Sequence, residues 1–228
     1  MKKTYQNLII GGLILLVIAF IFAWTAYFKQ NSTKIIIPDI SKIYTIEDFS
    51  DSSLDEESLQ NLIKRLNNDQ KYLREGTYES EVQRYDIWVD IANLKFALED
   101  YDSAVEIWEY AITLNNSNPL AFANLANYYK SFANDYEKAA YYYDQAIQKD
   151  NVGYYFDYEA YAELYIRYLP EDPHRVEIIM LDGVAKAVGN TKLNFYLFLY
   201  NYWNEKGDSN KTAQYKDEIL KIDANYQF

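Results

Sequence analysis

The chain has 228 residues and a formal net charge of −12, with 34 Asp and Glu against 22 Lys and Arg. Past its first few dozen residues there is room for one domain of about 150 to 190 residues, not for a second large catalytic domain. Such acidity argues against nucleic acid and anionic headgroups as partners and suits a basic protein surface, and the absence of cysteine excludes disulfides, thiol catalysis and Cys-ligated metal.

The first element is Leu8 to Phe28, an apolar run of 21 residues without a charge. That matches the roughly 20 residues a helix needs to cross the hydrocarbon core. Trp24, Tyr27 and Phe28 gather at its far end, where amphipathic rings favour the headgroup layer. Lys2 and Lys3 at the near end, set against Lys29, Lys34 and Lys42 beyond it, favour a cytoplasmic N-terminus and an extracytoplasmic domain. A cleaved signal peptide fits less well. The run exceeds the usual apolar region of about 7 to 15 residues, and Ala23-Trp24-Thr25-Ala26 offers no small-x-small site. Residues 1–28 are therefore expected to be a short stub and a single transmembrane anchor.

Residues 29–53 read as a linker, mixing Asn31, Ser32, Thr33 and Pro38 without a helical period. Ile35-Ile36-Ile37 within it is either a short docking segment or a sticky tether. A lead-in helical region is expected over 54–84. Ser52 or Ser53 would cap its first helix, with Asp55, Glu56 and Glu57 at the positive end of the helix dipole. Leu59, Leu62, Ile63, Leu66 and Leu73 form its apolar stripe, Gly76 and Thr77 break it, and a second helix starts near Ser80.

Two stretches then align at a fixed offset. The first is Trp88, Ile91, Ala92, Tyr101, Ala104, Trp108 and Ala111; the second is Phe122, Leu125, Ala126, Tyr129, Tyr136, Ala139, Tyr143 and Ala146. The step from Ala92 to Ala126 is about 34 positions and that from Ala104 to Ala139 one more, so the turn between takes one inserted residue. Small residues facing bulky ones let two antiparallel helices approach closely. A third unit follows with Tyr158, Tyr161, Ala162 and Tyr165, then Val176, Met180 and Gly183 after the turn Pro170 to Pro173. In a fourth, Tyr196, Leu199 and Trp203 precede Gly207-Asp208, but Tyr200 takes the small position and Lys216 stands where a buried aromatic is expected.

In these residues the chain resembles tetratricopeptide repeat proteins. The resemblance implies an all-α fold, a right-handed superhelix (α-solenoid) of antiparallel helix pairs, here preceded by a single transmembrane helix. The repeats would occupy about 85–118, 119–153, 154–190 and 191–228. It implies protein or peptide binding in a concave groove lined by the first helix of each pair. It names no partner.

In that register one groove position holds Asn93, Asn127, Glu163 and Asn201, with Phe96, Lys130 and Arg167 beside it. An amide there could bond both N–H and C=O of an extended segment, or simply be a solvated polar residue. Further groove candidates are Val89, Ala123, Glu159, Leu197, Asn204 and Glu205. With only Lys130 and Arg167 basic, a clamp for a C-terminal carboxylate is not expected; an extended or basic segment is. Among the 25 tyrosines, the run Tyr141-Tyr142-Tyr143 cannot all face a core, because neighbours on a helix are about 100° apart. His174, the single histidine, lies in a Pro-rich turn and lacks partners for metal ligation. No phosphate loop or nucleophile elbow is present. The expectation is a membrane-anchored, non-enzymatic binding module or scaffold without cofactor or metal, whose partner is another membrane or envelope protein. The alternative is a self-associating component of a cell-envelope assembly.

Overall fold

The computed structural model describes residues 36–170 and 173–228, and the unit that carries its helices is Pro38–Phe228. The expected anchor, Leu8 to Phe28, lies outside the described residues; among those described, no helix is long and apolar enough to cross a membrane. They hold nine α-helices and no strand. In chain order these are α1 (Glu56–Glu75), α2 (Glu81–Ala97), α3 (Tyr101–Leu114), α4 (Leu120–Tyr128), α5 (Tyr136–Lys149), α6 (Tyr155–Arg167), α7 (Pro173–Lys186), α8 (Asn190–Glu205) and α9 (Ser209–Ile222). Each packs against the next, in consecutive pairs.

Local chemistry sets the helix ends. Asp55, not Ser52 or Ser53, caps α1 by accepting the Ser58 amide, and Gly76 ends it in the left-handed conformation at φ +64°. Ser80 caps α2 through the Gln83 amide. Three of the turns inside helix pairs share one device, a residue at positive φ followed by Asp: Glu99 (+66°) then Asp100, Asn134 (+54°) then Asp135, and Gly207 (+74°) then Asp208. Asp135 and Asp208 accept the amides of Lys138 and Lys211. The inserted residue foreseen in the turn of the second unit is absorbed after α4, where the backbone widens into a π turn over Tyr129–Ala133.

The core follows the repeat spacing. Ala92, Ala104, Ala111, Ala126, Ala139, Ala146 and Ala162 are all fully buried. Trp88 and Trp108 pack among the first set, Tyr143 and Tyr161 among the second. In α7 the small residue is Gly183, where a Cβ would come within 2.1 Å of the Phe195 ring. This notch changes one member of the apolar face expected for the fourth unit, Phe195 taking the place of Tyr196, while Leu199 and Trp203 are buried as expected. Phe195, Leu199, Tyr202 and Trp203 are the buried face of α8, while Tyr196 and Tyr200 are only half-buried. In α9 Tyr215 is the buried aromatic, one position before the exposed Lys216. The last two helices still pack closely on each other, and Phe195 fills the notch on the α7 side of α8.

Residues 38–53, expected within the linker, lie along the first helices. Ile40, Tyr44, Ile46 and Phe49 pack against the core of α1 to α4, whereas Ile36 and Ile37 are exposed. The Tyr44 backbone gives its N–H to Asn67 Oδ1 and takes the Asn67 amide on its carbonyl, both at 2.8 Å. Its hydroxyl accepts from Lys95 Nζ at 2.5 Å, and Lys95 also bonds Asp100 at 2.7 Å. Lys95 is 3% exposed, so this ammonium depends on those two partners. Burial pushes the Asp100 carboxyl up, but the hydrogen bond and charge of Lys95 outweigh it and hold the group below its ordinary range.

Asp100→Asn is therefore expected to lower unfolding free energy by about 3 kcal/mol in urea titrations, by stranding a buried cation. Adding Lys95→Met to that variant should recover most of the loss, since the uncompensated charge leaves with the lysine.

Candidate protein-binding face

The candidate groove residues lie on the even-numbered helices α2, α4, α6 and α8, the first helices of successive pairs, apart from Lys130 in the π turn that follows α4. In α2 and α4 this face is largely taken up by the fold itself. Asn93 Oδ1 accepts the Trp108 indole N–H at 3.1 Å and the Asn124 amide at 2.9 Å, joining α2, α3 and α4. Asn127 is exposed, yet its Oδ1 accepts the Tyr143 hydroxyl at 2.6 Å. Phe96 is half-buried among Tyr101, Trp108 and Phe132, its ring edge-on to Phe132 at 4.9 Å. Val89 and Ala123 are buried and face no groove.

The picture changes at α6 and α8. A cleft of about 580 Å³ opens between them, and Glu163, Arg167 and Asn201 come together in it. Glu159, Leu197 and Glu205 line it as well, while Asn204 lies in a separate depression beside Tyr200 and Lys216. Lys130, in the π turn after α4, is half-buried, with Nζ 5.6 Å from the centroid of the Tyr143 ring. Burial lowers its pKa; the Glu163 charge opposes that shift and the Arg167 charge adds to it, so the three groups share one field.

The apolar part of this cleft was not singled out from sequence: Tyr155, Phe156 and Ile166 on α6, Phe198 and Tyr202 on α8. A helical signal for it exists. Phe156, Glu159, Glu163, Ile166 and Arg167 fall at steps of three, four, three and one, which is one helix face. Phe156 is 63% exposed and Ile166 39% exposed, so the wall is open to a ligand. Glu159 accepts the Tyr155 hydroxyl at 3.0 Å, and Glu163 lies 3.7 Å from the exposed Arg167. Burial first, then the charge of Glu159, raises the Tyr155 hydroxyl far above its ordinary value, so it stays a donor.

Below the cleft, buried polar groups fix the helices that frame it. Tyr158 donates to Asp182 at 2.9 Å and accepts from Lys186, which also bonds the Ile147 carbonyl at 2.6 Å, tying α5, α6 and α7. Arg175 bonds Tyr161 and Asp144 across the same three helices. Glu177 accepts from Lys211 and Tyr215, linking α7 to α9. His174 is in the first turn of α7, with Nδ1 3.8 Å from Glu177 and its ring beside Trp203. Among the described residues no cluster of three or more His, Cys, Asp or Glu is placed to hold a metal.

No family model matches the chain, and no curated protein matches it. Among solved structures, the crystal structure of BtubC (BKLC) from P. vanneervenii is similar over 79% of this chain and 76% of that chain, with 18% identity and a TM-score of 0.46. At that identity and score it assigns neither family nor activity.

Two consequences can be measured. Asn93→Ala leaves the buried Trp108 indole and Asn124 amide short of their acceptor and should cost about 1 to 3 kcal/mol of unfolding free energy. Asn127→Ala removes the acceptor of the buried Tyr143 hydroxyl and should cost about 1 kcal/mol or more, toward the low end of the same range because Asn127 itself is exposed. The second concerns Asp157 in the first turn of α6, whose carboxyl is pushed up from 3.8 to about 6 by burial and then by the charge of Asp150. The folded state therefore holds the extra proton between those values, so this group makes stability fall as pH rises from about 4 to 6. Asp157→Asn should flatten that fall and add about 1 to 2 kcal/mol at pH 7, allowing for residual solvent screening, in urea titrations across pH 4 to 7.

Proposed function

We propose that this chain is a membrane-anchored repeat protein of the tetratricopeptide type that acts as a protein-binding scaffold, gripping a partner segment on the face of α6 and α8. The observation that carries the reading is the cleft between α6 and α8, where Glu163, Arg167 and Asn201 meet under an open apolar wall. A cleft between the first helices of adjacent pairs is where a solenoid presents a concave surface. Support for the repeat type comes from the buried alanines at the 34-residue spacing and from the shared positive-φ, Asp turns at 99–100, 134–135 and 207–208. The uncharged run Leu8 to Phe28 is the basis for the anchor, with the N-terminus cytoplasmic and the helical unit outside. Tethering would raise the local concentration of the scaffold at the bilayer, so a modest groove affinity suffices. No group in the cleft is arranged as nucleophile and base, and the reading is of a binding module, not an enzyme.

Photo-crosslinking in cells tests it. A photoreactive phenylalanine analogue at Asn201 in the full chain should give discrete crosslinked protein bands, while the same group at the exposed Gln214 of α9 should not. Equal patterns at the two positions, or none at Asn201, would overturn the assignment of the site.

A further inference from the structure

The cleft differs from the rest of the face in its charge, and that difference bears on the class of partner. Glu159 and Glu163 stand one helical turn apart on α6, and Glu205 closes the cleft from α8, against a single guanidinium, Arg167. Arg167 does not cancel them: it is exposed and pairs at 3.7 Å with Glu163, while Glu159 is met by a neutral donor, the Tyr155 hydroxyl, and the other cation nearby, Lys206, lies over the Tyr202 ring. Glu205 has no ion pair among the described residues. The surrounding field has the same sign. The net −12 understates the acidity of the helical unit, because Lys2, Lys3, Lys29 and Lys34 precede Pro38 and no acid does. Between the carboxylates lie apolar side chains with nothing over them, Phe156 and Ile166 facing Leu197 and Phe198. Such an arrangement cannot serve an acidic peptide, whose charges would meet like charge, and it gives a purely apolar segment no use for three carboxylates.

We infer that the α6–α8 cleft selects a cationic protein segment: a bulky apolar residue seated between Phe156/Ile166 and Leu197/Phe198, flanked by Lys or Arg that meet Glu159 on one side and Glu205 on the other. The inference rests on the reading of this face as a protein-binding groove and adds the chemistry of what it takes. Glu159 and Glu205 supply the discrimination, and the apolar wall supplies the anchor. Glu205 is exposed and Glu159 half-buried, so each pairing has a modest, salt-sensitive worth. Asn194 and Asn201, both exposed on the α8 side, are placed to bond the backbone of the seated segment.

The test is selection of random 12-residue peptides displayed on phage against the full chain in detergent micelles, in parallel with Glu159→Gln/Glu205→Gln and Phe156→Ala chains. Circular dichroism and melting of the variants serve as the folding control. Enriched peptides should carry Lys or Arg beside a bulky apolar residue, and both variants should lose that enrichment. Fluorescence anisotropy of a selected peptide should show each single Glu→Gln change weakening binding about threefold to fivefold, with Glu163→Gln mattering least because Arg167 already engages it. Enriched peptides that are neutral or acidic, or whose binding is indifferent to salt, would overturn the cationic class while leaving the groove standing. Enrichment that survives in both variants would overturn the site for this class. If no peptide is enriched, both the inference and the groove on which it rests fall.

Discussion

Every buried tyrosine carries a hydroxyl that must find a partner, and much of this fold is organised around that constraint. Tyr85, Tyr143, Tyr158, Tyr161 and Tyr215 are among its largest fully buried side chains. A tyrosine ring buries much apolar surface, but its oxygen left unpaired inside a core costs on the order of 1 to 3 kcal/mol. Here the oxygens are answered from neighbouring elements. Tyr85 accepts the Ala121 amide at 3.3 Å, which supplies one of the partners missing at the start of α4. Tyr143 reaches Asn127 of α4, Tyr158 reaches Asp182 of α7, Tyr161 takes Arg175 of α7, and Tyr215 reaches Glu177 of α7. Each such bond runs between elements, so the same atoms that must be satisfied also fix how one helix sits on another. The abundance of tyrosine is thus a packing device in the core. At Tyr141, which is 59% exposed, it is a surface residue and nothing more.

That constraint works together with the small-against-large rule. Ala92, Ala104, Ala126, Ala139 and Ala162 let helix axes come close, and the space is filled by rings whose polar ends protrude from the contact. Where the small residue disappears, at Tyr200, the pair does not open into a void. Instead α8 buries Phe195 against Gly183, α9 buries Tyr215 in place of position 216, and Phe228 of the C-terminal segment lies 4.9 Å from the Tyr200 ring. Tyr200 is thus accommodated half-buried beside Phe228, while the two helices stay closely packed.

Helix existence, the alanine spacing and the inserted residue in the turn of the second unit were legible in the sequence, because each is a local pattern. The burial of Phe195 in place of Tyr196 was not, since it depends on a glycine in α7 meeting a ring in α8. The docking of residues 38–53 was hidden for a related reason. Its determinants are single polar residues far apart in sequence, Tyr44 with Asn67 and Lys95, and no period reveals them. The site was legible in part. Glu163, Arg167 and Asn201 do share a cleft, but the equivalent asparagines 93 and 127 spend their carbonyls on Trp108, Asn124 and Tyr143. The same residue type at the same repeat position has different work according to whether a donor is packed beside it.

The chemistry expected of Asn93 and Asn127 is present at Asn67. Its amide reads both the N–H and the C=O of one extended residue, Tyr44, at 2.8 Å each. This shows what such recognition requires here: the asparagine must face a segment lying alongside the helix, and a second group must hold the side chain of that segment, as Lys95 holds the Tyr44 hydroxyl. Asn93 fails the first condition, because its oxygen is turned between helices. Asn201, by contrast, is exposed in an open cleft beside the apolar side chains of Phe156, Ile166 and Phe198. Trp108 and Asn124 are packed against the oxygen of Asn93, whereas Asn201 faces open space, and position in the repeat alone does not decide which of the two an asparagine meets.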